Sequence, residues 1–198
     1  MTNTPEIDPK KEEIAETFRK HFDHFGYKKT SVDEVAKDLK ISKKTIYTKF
    51  SSKEDIFYYI IKKVANRDRK KIEKEIEALK EKDLEGNERS LNSKEKISVL
   101  IQKVFERSRK WLSDKKTDPF EFKYKFNIAR LAFIDAYQEY IKNLISEGIN
   151  RGEFRDAPPD ITYRFITGII GESMEILQTN PEIMIEEETI DSVLRLLK

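Results

Sequence analysis

Between residues 26 and 53 the chain sets eight lysines against three acids, and Lys43, Lys44, Thr45, Tyr47, Thr48 and Lys49 crowd into one short run. Ammonium, hydroxyl and phenol groups donate hydrogen bonds. They bind phosphate oxygens whatever the sequence, and base edges only where the sequence suits. Such chemistry suits a nucleic acid, and it needs a rigid support that aims the donors outward together. Ile46 and Phe50 interleave with the polar set at helical spacing, so 43–50 reads as a short helix with an apolar side and a donor side. A lysine-rich face that is merely solvated has the same composition, so spacing alone leaves both readings open.

The elements that would hold this helix lie on either side of it. Ile14, Phe18, Phe22 and Phe25 recur at steps of four, four and three and line one face of a first helix at about 9–25, with Asp8-Pro9 as its start and Gly26 as its stop. Ser31 with Glu34 has the spacing of a capping box and opens a second helix to about Leu39, whose Val32, Val35, Ala36 and Leu39 address the same core. Lys40, Ile41 and Ser42 make the turn into the third helix. Two short helices joined by a three-residue turn, the second rich in donors, have the form of a helix-turn-helix that lays its second helix in a DNA major groove. Ser52 with Asp55 opens a fourth helix, running through Ile56, Phe57, Ile60, Ile61 and Val64 to about Lys82.

The run TSVDEVAKDLKISKKTIYTKFSSKEDIF, Thr30 to Phe57, resembles the DNA-binding domain of the TetR family of transcriptional regulators. Thr30 and Ser31, Ser42, Ile46-Tyr47, Phe50, Lys53 and Glu54 occupy the family's places, and Phe25-Gly26-Tyr27 looks like the family's end of helix one. The likeness covers about residues 10–60. It implies Thr30 or Ser31, Tyr47 and Lys53 at phosphates, and Lys44, Thr45 and Thr48 at base edges. Ser42, in the turn, is by the same resemblance counted among the DNA-binding residues, and Lys43 and Lys49 suit either task. Lys44 stands where many members carry a small residue and Lys49 where many carry His, so the operator sequence does not follow from the family. For Tyr47 half-core packing is the alternative, since tyrosine can pack and donate at once.

Only six glycines and six prolines punctuate the chain, and the later spacing predicts helices at about 94–114, 119–149, 159–178 and 186–197, with a loop at 83–93. Asp118-Pro119 and Asn180-Pro181 have the form of helix starts. The fold is therefore expected to be all-α. An N-terminal three-helix helix-turn-helix domain over 1–64 precedes a helical domain over 65–198, to which the resemblance assigns effector binding and dimerisation. Nine of the 21 aromatics fall within 105–140, the composition of a pocket or of a large core. Phe105, Trp111, Phe122, Phe126, Phe133 and Tyr137 are the candidate effector residues. Asp135, interrupting an apolar run, is read as a partly buried polar group aimed among them, so the effector is expected to be a small apolar or aromatic molecule. Phe165, Gly168, Ile169 and Gly171, with Ile190, Val193, Leu194 and Leu197 on the last helix, are the candidate homodimer surface. A dimer would set two recognition helices about 34–36 Å apart on a palindromic double-stranded DNA operator. The resemblance implies a repressor released by its effector. The alternative is a C-terminal domain that recognises a protein partner instead.

Composition narrows the remaining classes. With no cysteine, disulfide scaffolds, cysteine-zinc sites, iron-sulfur clusters and thiol catalysis fall away, and a reducing cytoplasm is the expected compartment. His21 and His24 are the only histidines, and beyond Asp23 no further ligand lies near, so neither a metal site nor a cofactor is expected. No histidine follows His24, which leaves a histidine triad and a Glu-x-x-His di-iron site without their parts, and no glycine-rich phosphate loop is present. An enzyme is not expected. The apolar run Phe57–Ile61 falls far short of the ~18 residues a membrane span needs, and MTNTPEIDPK lacks a signal-peptide pattern, so no membrane partner is expected either. The net charge of +2 conceals an asymmetry: residues 1–70 hold 17 Lys and Arg against 12 Asp and Glu, the remainder 22 against 25.

Overall fold

Helix boundaries follow the capping chemistry of the sequence. In a computed structural model, which describes residues 8–82, 85–112 and 119–198 except the side chains of Trp111 and 119–122, the helices are α1 (Pro9–Phe25), α2 (Val32–Asp38), α3 (Lys43–Tyr47), α4 (Lys53–Ala78), α5 (Ser93–Leu112), α6 (Pro119–Asn150), α7 (Pro159–Thr179) and α8 (Glu186–Leu196). Asp8 caps α1 by accepting from the amides of Lys10 and Lys11, and Gly26 ends it at φ 85°, a conformation open to glycine. Ser31 and Glu34 complete a reciprocal capping box at α2. At α4 the box is altered: the Asp55 amide donates to Ser52 Oγ at 3.1 Å, but the Asp55 carboxylate accepts from the Ser51 amide at 2.9 Å. The chain divides into two compact units, Met1–Ala65 with Asp118–Phe133, and Asn66–Thr117 with Ile134–Lys198.

In the first unit, Ile14 and Phe18 of α1, Val35 and Ala36 of α2, Ile46 of α3, Phe50, and Ile56 and Ile60 of α4 form one core, flanked by Phe22, Val32, Leu39 and Ile41. Two residues depart from the expected faces. Phe25, on the last turn of α1, is 51% exposed, and on α4 it is Ala65 rather than Val64 that is buried. Between α2 and α3 the chain reverses at Lys40, the one described non-glycine residue with positive φ, while the Ile41 amide reaches back to the Ala36 carbonyl at 3.0 Å.

In the second unit, Ile72 and Ile76 of α4, Ile97, Ile101 and Phe105 of α5 and Leu144 and Ile145 of α6 are fully buried. The hydroxyl of Thr189 on α8 donates to Ser173 Oγ on α7 at 2.8 Å, which satisfies both buried groups. Arg109 forks onto Glu186 at 2.6 and 2.8 Å and also donates to the carbonyls of Pro181 and Ile183, holding the link before α8. Asn180-Pro181 therefore does not start a helix: Asn180 closes α7, and α8 begins at Glu186. The expected loop at 83–93 and the last turn expected of α4 give way in part to an antiparallel ribbon, β1 (Lys80–Lys82) with β2 (Glu88–Ser90). Its strands carry no apolar alternation. What ties it down is Arg89, paired across the ribbon with Glu81 at 2.9 Å and forked onto Glu95 of α5 at 2.6 and 2.8 Å.

Candidate nucleic-acid interface

The third helix is only five residues long, too short to persist alone, so its position depends on its anchors. Ile46 is fully buried and Phe50 nearly so, which fixes one side. Ser42 fixes the start: its Oγ accepts from the Thr45 amide at 3.1 Å and lies 2.9 Å from Thr45 Oγ1. Ser42 is thus the cap of the helix, and its hydroxyl and that of Thr45 face the solvent as a bonded pair. Lys44, Tyr47 and Thr48 are exposed on the other side, Tyr47 to 50%, which decides its packing in favour of the surface. Thr48 donates to the Thr45 carbonyl at 2.7 Å.

Of the residues assigned to phosphate by resemblance, the structure treats three differently. Thr30 is 1% exposed and its hydroxyl donates to the Gly26 carbonyl at 2.9 Å, so it braces the turn between α1 and α2 and has no surface to offer DNA. Ser31 beside it is half-buried and caps α2. The ammonium of Lys53 donates to the carbonyls of Tyr27 and Thr30 at 3.0 and 3.2 Å and lies 4.5 Å from the Tyr27 ring centroid. Lys53 ties the start of α4 to that same turn, with one of its three donors left for a phosphate. Sequence reasoning missed Asp33 and Asp8, which pair with Lys43 at 2.5 Å and Lys49 at 2.8 Å. Nothing in residue spacing announces these partners, because each pair joins different helices. Tyr124 of α6 was missed likewise: its hydroxyl donates to Glu54 at 2.7 Å, its ring lies 5.6 Å from that of Tyr27, and the bond holds the Glu54 carboxyl below its usual range.

His21 Nε2 lies 2.6 Å from Asp38 Oδ2, joining α1 to α2, and His24 meets Phe25 edge-on. Among the described residues no group of three His, Cys, Asp or Glu is placed to hold a metal.

The candidate effector residues whose side chains are described are divided between the two units. Phe105 and Tyr137 are buried in the second unit, Phe126 is buried and Phe133 half-buried in the first, and the side chains of Trp111 and Phe122 lie outside the described residues. Asp135 is exposed rather than aimed inward, because Ala136 and Tyr137 take the buried face of α6 at that turn. The polar groups beside Tyr137 come instead from other helices: its hydroxyl lies 3.4 Å from Asp68 of α4, which pairs with Arg107 of α5. Burial and the Asp68 charge push the Tyr137 phenol well above its ordinary pKa.

The dimer candidates also divide. Phe165 is 56% exposed, Gly168 faces open space, and Ile169, Ile190 and Leu194 are half-buried. Gly171, Val193 and Leu197 are buried in the second unit's own core, so they have no surface for a partner; Ile161 and Ile176, 52% and 37% exposed, extend the apolar face of α7 in their place.

A family model for bacterial regulatory proteins of the tetR family matches residues 14–60. The uncharacterized HTH-type transcriptional regulator YhgD of Bacillus subtilis (strain 168) is 31% identical over 164 residues, 79% of this chain and 77% of that protein. In fold the chain is similar to the R. erythropolis transcriptional repressor QsdR from the TetR family, with TM-score 0.68 and 12% identity over 96% of this chain and 95% of that one. It is also similar to ligand-free RolR, with TM-score 0.64 and 13% identity over 94% and 89% of the two chains. FadR from Bacillus subtilis, in complex with stearoyl-CoA, gives 0.54 and 22% over 94% and 96%. With a relative of that identity spanning most of both chains, and the family model lying on the helix-turn-helix itself, the chain belongs to the TetR family of DNA-binding transcriptional regulators.

Proposed function

We propose that this regulator is a repressor that binds a palindromic operator as a homodimer and is released by a small apolar or aromatic effector. One observation carries the DNA-binding part: on α3, Ile46 is fully buried while Lys44, Tyr47 and Thr48 stand exposed together. Residues 1–64 would read DNA, with Lys44, Thr45 and Thr48 at base edges, and Ser31, Tyr47 and Lys53 at phosphates. The exposed face of α7, Ile161, Phe165, Gly168 and Ile176, supports a second copy as the partner of 65–198. Phe105 and Tyr137, both buried in the second unit, with Asp68 beside Tyr137 and paired with Arg107, supply apolar surface and a few polar groups, the composition of a ligand site. RolR has been crystallised with resorcinol and FadR with stearoyl-CoA, which favours ligands of this character here.

The test is selection of bound sequences from random duplex DNA, then a salt titration on the winner. A palindrome with half-sites one helical turn or more apart, and a steep fall of affinity with salt, is the expected result. A pool that yields no enriched sequence sinks the reading. For the effector, linkage sets the criterion: a true inducer weakens operator binding by the factor by which operator weakens its own binding. A tight ligand that leaves operator affinity unchanged is not the effector.

A further inference from the structure

The DNA-facing surface carries two carboxylates that sequence reasoning did not place there. Asp33, in the first turn of α2, pairs with Lys43 at the start of α3; Asp8, the cap of α1, pairs with Lys49 just beyond its end. The Asp8 carboxylate is fixed in place. One oxygen accepts from the amides of Lys10 and Lys11, the other meets the Lys49 ammonium, and these contacts hold its pKa below the usual range. Of Lys43, Lys44 and Lys49, only the exposed Lys44 has no carboxylate partner among the described residues.

Exposed ion pairs of this kind contribute little to stability, so fold stability is a weak account of why two acids sit beside a surface that must approach a polyanion. Their effect on binding is larger. Sequence-independent affinity comes from cations that displace counterions at phosphates, and a carboxylate at hydrogen-bond distance cancels such a cation. When a lysine leaves its carboxylate for a phosphate, the stranded acid faces the phosphates well inside the screening length of about 10 Å. A loosely docked, non-specific complex is free to choose its phosphates and would gain most from released lysines. In a complex registered by base contacts, each ammonium has one geometry available.

We propose that Asp8 and Asp33 are specificity-determining residues of the DNA interface, holding Lys49 and Lys43 in ion pairs and so suppressing attraction to DNA of arbitrary sequence. Discrimination is then left to Lys44, Thr45 and Thr48. The inference rests on the regulator reading above.

The experiment compares the full chain with Asp8→Asn, Asp33→Asn and Asp191→Asn on two probes, a mixed-sequence duplex lacking any selected site and the duplex selected by the unaltered chain. Asparagine caps helices about as well as aspartate, so Asp8→Asn keeps α1 capped. Asp191→Asn makes the same charge change on α8. Each interface variant should bind the mixed-sequence duplex about three- to tenfold more tightly at low salt, with a salt slope steeper by about one unit, and the selected duplex by a smaller factor. Asp191→Asn should leave both unchanged. As an independent arm, Lys43→Gln and Lys49→Gln should each weaken mixed-sequence binding less than Lys44→Gln. Unchanged slopes in the interface variants, equal gains on both probes, an equal gain from Asp191→Asn, or equal losses from the three lysine variants overturns the proposal while the regulator reading stands. Failure of the unaltered chain to bind any duplex overturns both.

Discussion

The ammonium of Lys53 donates to the Tyr27 carbonyl at 3.0 Å while lying over the Tyr27 ring, so the first residue of α4 is bolted to the turn between α1 and α2. A lysine that resemblance places at phosphate is therefore also a brace. Lys53→Met should cost about 1–3 kcal/mol of stability, as loss of hydrogen bonds to a charged donor does. It should also weaken binding to every duplex, whereas Lys44→Ala should weaken binding with the melting temperature intact. Thermal melts beside salt titrations separate the two; a Lys53→Met protein that melts like the unaltered chain would refute the brace.

Thr45 presents its hydroxyl at the start of α3, held by Ser42 Oγ at 2.9 Å. Thr45→Ala should reduce affinity for the selected duplex by about 1 kcal/mol and hardly touch mixed-sequence DNA, because a base-edge contact carries sequence and a phosphate contact does not. Equal losses on both probes in a filter-binding titration would reassign Thr45 to the backbone.

Gly148 on α6 admits no side chain: a Cβ there would collide with the ring of Phe154, itself 7% exposed. Gly148→Ala should destabilise the protein by about 1–3 kcal/mol in urea denaturation, the usual cost of overpacking. Adding Phe154→Leu should recover part of the loss, and additive losses in the double variant would show that the two sites do not touch.

Phe165 lies 56% exposed on the outer face of α7, whereas Val193 of α8 is wholly buried. Phe165→Glu should shift a micromolar sample toward monomer in sedimentation and abolish tight binding to the palindrome without lowering helix content. Val193→Ala should instead destabilise the fold by about 1–3 kcal/mol through the cavity it leaves. A Phe165→Glu protein that sediments as the unaltered chain does would remove this face from the dimer.

Arg89 and the Asn92 amide pull the Glu95 carboxyl down to about 2. A carboxyl whose folded-state pKa lies below its unfolded value stabilises above the unfolded value, and that contribution is lost as pH falls toward the folded one. Between about pH 4.5 and pH 2 the β1–β2 ribbon and the first turn of α5 should therefore loosen, seen as faster amide exchange at Arg89 and Asn92. Glu95→Gln should exchange faster already at neutral pH and show little change across that window. Unchanged exchange in the unaltered chain down to pH 2 would contradict the assignment.

Local order was written in the sequence. The helix-turn-helix, its Ser31 and Ser42 starts, the Gly26 stop and the placement of Ile46 and Phe50 all depend on residues within a few positions of each other, where capping and helical periodicity act directly. The later helices follow local signals as closely at Pro119 and Pro159, where α6 and α7 start as expected. What only the tertiary structure decided involves partners far apart in the chain. Thr30 turned inward because the α1–α2 turn needed a brace, and Lys53 joined it from α4. Asp8 and Asp33 came beside α3 because three helices pack on one core. Asp135 faced outward because Ala136 and Tyr137 filled the inner side of its turn, and Val193 and Leu197 were claimed by their own core before any partner could use them. The ribbon of β1 with β2 escaped notice because charge pairing through Arg89, and no apolar alternation, holds it. Periodicity tells which face of a helix is apolar; it does not tell what will cover that face, since burial is settled by whichever surfaces the folded chain brings together.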